Sequence, residues 1–83
     1  MMSNVVVDNH AESLVTNLIY QVNGVLPKNI SLDHSLVNDL LMDSIEMIDL
    51  LMRLEEIGVA LHEYKITSEL TVGDIVKHVA PIY

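Results

Sequence analysis

The stretch Asp43-Ser44-Ile45-Glu46-Met47-Ile48-Asp49-Leu50-Leu51-Met52-Arg53-Leu54-Glu55-Glu56-Ile57 decides how this chain folds. Asp43 and Glu46 stand three residues apart, the spacing of a capping box, in which each side chain satisfies a backbone N–H of the other. The reading is a helix with Asp43 as N-cap, Ser44 as its first residue and Gly58 as its stop. Stepping about 100° per residue gathers Met47, Leu50, Leu51, Leu54 and Ile57 on one side, the side of a core. Ile45, Asp49, Met52 and Glu56 gather opposite, and Ser44, Ile48 and Glu55 run along one flank.

The remaining elements are arranged around that helix. Upstream, Ala11, Leu14, Val15, Leu18, Ile19 and Val22 form one apolar stripe at three- and four-residue steps, which predicts a helix over residues 9–23. Asn9 with Glu12 has capping-box spacing, and Gly24 is a fitting stop. Residues 24–42 are a long connection with Pro27 and the turn formers Ser31, Asp33, His34 and Ser35. In it Ile30, Leu32, Leu36, Leu40 and Leu41 are expected to pin the loop across the core, with a helical turn near Leu36–Leu40. Downstream, residues 63–67 offer one or two turns with Tyr64 or Ile66 inward. Thr71 with Asp74 opens a last helix carrying Val72, Ile75, Val76 and Val79, which Lys77 and His78 complement and Pro81 ends. The fold class is all-α: a small four-helix bundle of three main helices and a short one, with a long first loop.

Eighty-three residues make a single domain spanning 1–83, with residues 1–8 as a flexible tail. Apolar residues are 51% of the chain and aromatics 4%, so the core is built from Leu, Ile, Val and Met, which suits packed helices. No Cys is present, as fits a reducing cytoplasmic setting. The net charge of −8 repels nucleic acid and anionic lipid and favours basic protein partners. No stretch is apolar for long enough to span a membrane, and no basic n-region marks a signal peptide. A monomer is expected.

Two features bear on chemistry. Ser at a helix start is commonly just a cap, but Asp43 already fills that role. No Gly-x-Ser-x-Gly elbow is present, and the His residues at 10, 34, 62 and 78 are scattered. A nucleophilic serine needs a positioned base, so Ser44 reads as a residue modified by another enzyme, and the chain as no enzyme itself. The second feature is the acidic face. Between Asp39 and Glu56 stand six carboxylates and one base, Arg53. An acidic run is ordinarily a solvated surface, yet Ile45 and Met52 sit among these acids. An apolar centre with a charged rim is the anatomy of a protein-docking site. No His-x3-His pair, Cys or Asp-x-Asp-x-Asp-Gly loop marks a metal site.

Taken together, these residues resemble the acyl carrier protein family. Ser35-Leu36-Val37-Asn38-Asp39-Leu40-Leu41-Met42-Asp43-Ser44-Ile45 is similar to the family's Asp-Leu-Gly-x-Asp-Ser-Leu motif, matching it at Asp39-Leu40 and Asp43-Ser44. Glu46 to Glu56 resembles its acidic recognition helix, and Thr71-Val72-Gly73-Asp74 the start of its last helix. The likeness covers roughly residues 8–80. It departs in Leu41 for the motif's Gly, in Ile45 for Leu, in a segment one residue shorter after Glu56, and in His62 for the usual Pro. These departures point to a freestanding carrier of a specialised pathway.

The resemblance implies that Ser44 carries 4′-phosphopantetheine, transferred from coenzyme A by a phosphopantetheinyl transferase that Asp43 helps to engage. The arm would hold fatty acyl, polyketide-type or aminoacyl units as thioesters. Asp49, Glu55 and Glu56 would pair with basic docking patches on loading and condensing enzymes, and Ile45, Ile48 and Met52 would make the apolar contacts. Two rival readings stand beside this one. The first is a helical adaptor that binds basic partners through the acidic second helix without any arm. The second is a small serine hydrolase.

Overall fold

The computed structural model describes residues 5–61 and 67–82, with side chains from His10 onward. Three α-helices make up its regular structure: α1 (Val5–Asn23), α2 (Ser44–Glu56) and α3 (Val72–Val79). Helix α1 packs against both α2 and α3. Among the described residues there is no strand, only one isolated antiparallel bridge between Ser35 and Thr71. The expected short helix over residues 63–67 lies almost wholly outside the described residues, as do Tyr64 and Ile66.

Helix α1 corrects the sequence reading at its start. It begins at Val5, so Asn9 is an interior residue and the Asn9–Glu12 spacing is not a cap. Val5 to Asp8, assigned above to a tail, extend the helix by a turn. The stripe itself holds: Ala11, Val15, Leu18 and Ile19 are buried, with Leu14 and Val22 packed against them. Gly24 ends the helix at φ +88, donating its N–H to the Tyr20 carbonyl at 2.8 Å. That left-handed conformation favours a residue without a Cβ.

Helix α2 is bounded as the local signals predict. The Glu46 N–H donates to Asp43 Oδ1 at 2.8 Å, and the Asp43 N–H donates to Glu46 Oε1 at 3.4 Å, closing the capping box. At the far end Val59 N–H returns to the Leu54 carbonyl and Gly58 N–H to that of Glu55. This is a Schellman motif. Leu54 and Val59, its apolar partners, are both buried. Met47, Leu50 and Leu54 enter the core, while Leu51 and Ile57 pack at its edge. A fully buried side chain of this kind contributes about 1.5–3 kcal/mol.

Residues 24–43 connect α1 to α2 and hold a 3-10 turn, Pro27–Asn29. Of the apolar residues expected to pin this segment, Ile30, Leu36 and Leu40 are buried. Leu32 and Leu41 are not: both are exposed, Leu41 at 76%. Met42 occupies the core position in place of Leu41. The segment is stitched along its length to the entry of α3. Leu36 N–H donates to Leu70 O, Val72 N–H to His34 O, and Gly73 N–H to Leu32 O at 2.7 Å. Ser35 Oγ donates to Ser68 O at 2.7 Å. These bonds satisfy backbone groups that would otherwise be buried without partners. Helix α3 opens with its own capping box between Thr71 and Asp74, and Lys77 and His78 lie in its last turn.

Candidate functional site

The site is the junction where the connection turns into α2. Asp39, from the sequence motif, points its carboxylate back at the Ser35 N–H, 2.7 Å away. Asp39 and Leu40 N–H groups both donate to the Ser35 carbonyl, which winds residues 35–40 into a tight turn. Leu40 then goes inward, Leu41 outward and Met42 inward. Met42 N–H closes the reversal on the Leu36 carbonyl at 3.0 Å. The reversal requires Leu41 to adopt φ +58, a left-handed conformation that costs a side-chain-bearing residue roughly 1 kcal/mol.

Asp43 and Ser44 follow at once. The Asp43 carboxylate is committed to the Glu46 N–H, so the cap is satisfied without Ser44. Ser44 is exposed, the first residue of α2, and its hydroxyl has no hydrogen-bond partner among the described residues. Among the described residues no histidine is bonded to it: His34 Nδ1 accepts from the Ser31 N–H, and His78 Nδ1 contacts the Asp74 carbonyl. Among the described residues the serine therefore has neither a general base nor a structural duty. Its position at the positive end of a helix suits a covalently bound phosphate, whose charge the dipole favours.

An apolar groove adjoins it. A cavity of about 590 Å³ runs from Ser44 past Val37, Met42, Met47, Ile48 and Leu51 to Thr67 and Ser68. On the outer side of α2, Ile45 is 76% exposed, with Ile48 and Met52 also exposed and Glu55 and Glu56 beside them. Asp49 is held differently. Arg53 Nε donates to its Oδ1 at 2.9 Å, while Arg53 Nη1 donates to Gln21 Oε1 at 2.8 Å. Asp49 and Arg53 thus neutralise one another on the exposed face.

The family model described as a phosphopantetheine attachment site matches residues 13–79. The chain belongs to the acyl carrier protein family. An acyl carrier protein of Rhodococcus erythropolis is 32% identical over 63 residues, covering 75% of this chain and 69% of that protein. An acyl carrier protein of Renibacterium salmoninarum is 31% identical over 67 residues, covering 80% of this chain and 83% of its own. The chain is accordingly a carrier, not an enzyme, whose prosthetic group is covalently attached 4′-phosphopantetheine. As in the family, its partners are enzymes, a phosphopantetheinyl transferase among them. The exposed hydroxyl at the α2 N-terminus and the groove beside it fit that group. Among the described residues no cluster of His, Asp or Glu could hold a metal ion, and no helix is long and apolar enough to cross a membrane.

Of the residues singled out in the sequence, Asp43, Ser44 and Ile45 sit together at the junction, and Ile48, Met52, Glu55 and Glu56 continue along α2. One residue escaped sequence reasoning. Asn23, at the end of α1, donates through Nδ2 to Glu46 Oε1 at 3.0 Å and lies 3.5 Å from the Leu40 carbonyl. It ties the junction to α1 from both sides, across a sequence separation that no local signal spans.

Proposed function

We propose that Ser44 is the attachment residue and that this carrier holds acyl intermediates as thioesters on its 4′-phosphopantetheine arm. The observation that carries this reading is the division of labour at the helix start. Asp43 does the capping, and the exposed Ser44 hydroxyl has no hydrogen-bond partner among the described residues. In the attachment step Ser44 Oγ forms a bond to the phosphorus that bears the pantetheine in coenzyme A. The bond from that phosphorus to the bridging oxygen breaks, adenosine 3′,5′-bisphosphate leaves, and the serine proton passes to a base of the transferase. The thiol of the arm then supplies the thioester chemistry.

The chain's own residues do the positioning. The apolar lining of the groove beside Ser44 favours an acyl or polyketide-type cargo over an aminoacyl one. Ile45, Ile48 and Met52 form the apolar centre of a docking face, and Glu55, Glu56 and Asp49 its acidic rim, to which basic patches on loading and condensing enzymes are complementary. Such a face gives rapid, salt-sensitive and short-lived encounters, as a shuttle requires. We assign the chain to a cytoplasmic, monomeric carrier of a specialised pathway, built as a single carrier domain.

The test is intact-mass spectrometry. Incubation with coenzyme A and a transferase is expected to add the mass of one 4′-phosphopantetheine to the wild type and nothing to Ser44→Ala. No gain on the wild type with several transferases would leave the armless adaptor as the better reading.

A further inference from the structure

Leu41 holds a conformation that its residue type disfavours, and its side chain takes no part in the core. Its φ is +58, a region in which Gly and Asn are at ease and a branched apolar residue is not. The residue is 76% exposed, as much as Ile45. Folding thus gains nothing from the Leu side chain that Gly or Asn would not match, and solvent exposure of so large an apolar group is unfavourable. The use of this side chain lies outside the fold.

Its place says what covers it. Leu41 stands three residues before Ser44, so their Cα atoms are no more than about 11 Å apart. That radius encloses both Leu41, on the connection, and Ile45, on α2. An enzyme that makes a bond to Ser44 Oγ must cover it. The neighbours on either side, Asp39 and Asp43, are exposed carboxylates, which calls for cationic side chains on the opposing surface.

We propose that Leu41 is a specificity contact for the transferase that modifies Ser44, seated in an apolar socket of that enzyme bordered by Lys or Arg. This rests on the carrier reading and deepens it. Leu41 and Ile45 then flank Ser44 as two apolar prongs, one from the connection and one from α2, and a transferase is selected by both.

The experiment compares the apo wild type with Leu41→Gly and Leu41→Asn, both suited to the left-handed backbone. Modification by the transferase of the host cell is followed by intact mass across chain concentrations at low and high salt. Both variants are expected to melt no lower than the wild type. Their KM should rise about tenfold, the effect of losing one buried Leu contact, with kcat little changed and the loss similar at both salt concentrations. KM values within twofold of the wild type, or a loss confined to kcat, would overturn the proposal while leaving the carrier reading intact. No mass gain on the wild type itself would overturn both.

Discussion

Asn23 and Glu46 join the end of α1 to the first turn of α2: Asn23 Nδ2 donates to Glu46 Oε1 at 3.0 Å. The same carboxylate oxygen receives the Asp43 N–H, and the same amide lies 3.5 Å from the Leu40 carbonyl. One side chain from α1 therefore steadies both the cap that frees Ser44 and the turn that precedes it.

Removing this link should loosen the junction more than it harms the fold. Asn23→Ala is expected to cost about 1 kcal/mol, the net worth of a partly buried hydrogen bond, and to lower the melting temperature by about 4–8 °C. A double-mutant cycle with Glu46→Ala should show coupling of about 0.5–1.5 kcal/mol between the two. Additive losses in that cycle would mean that the two residues act independently.

The pair Asp49–Arg53 carries a prediction about rate. Both side chains are substantially exposed, so the pair contributes no more than about 1 kcal/mol to stability. Its larger effect is to cancel an acid on the outer face of α2 proposed for docking. Arg53→Gln should leave stability within about 0.5 kcal/mol yet speed association with a basic partner enzyme at low salt. Glu56→Lys should slow it. Stopped-flow association rates measured against ionic strength check both, and the differences should fade as salt screens them. Rates unaffected by either change at low salt would make the face a solvated surface only.

What could be read from the sequence was what depends on neighbours along the chain. The Asp43–Glu46 and Thr71–Asp74 boxes involve residues three apart, and both form. The α2 stripe names its buried residues because helical periodicity fixes which side chains share a face. The same logic failed at Asn9–Glu12, where the spacing is present but Val5 to Asp8 are helical ahead of it. In the connection no period operates, and apolar character alone named Ile30, Leu36 and Leu40 rightly but Leu32 and Leu41 wrongly. There the backbone path decides that Met42 turns inward and Leu41 outward. Asn23 was invisible for a third reason: its partners Leu40 and Glu46 are distant in sequence and adjacent only in space.

Close packing of the connection on α3 makes Gly73 a sensitive position. Its N–H donates to Leu32 O at 2.7 Å, and a Cβ placed there would lie 3.0 Å from that same oxygen. The obstacle is backbone, which cannot swing aside as a side chain end can. Gly73→Ala should therefore cost about 1–3 kcal/mol through forced displacement, despite the better helix propensity of Ala. Chemical denaturation provides the measurement. A stabilised Gly73→Ala would show that the connection yields easily at Leu32.

Acid should weaken the same region through Asp74. Its carboxyl is held below the ordinary value of 3.8, first by the Thr71 backbone N–H, then by the Thr71 hydroxyl, Lys77 and His78, while partial burial opposes them. A carboxylate whose pKa is lower folded than unfolded contributes stability above its unfolded value, and that contribution is lost as pH falls through the folded value. Asp74→Asn keeps an acceptor for the cap but cannot titrate. The melting temperature of the wild type minus that of Asp74→Asn should accordingly be constant above about pH 5 and shrink on acidification below about pH 4. Taking the difference removes the other carboxylates, which titrate in both proteins. A difference that stayed flat down to about pH 2 would mean that Asp74 gains nothing from its charge at the helix start, and that the α3 capping box is held by geometry alone.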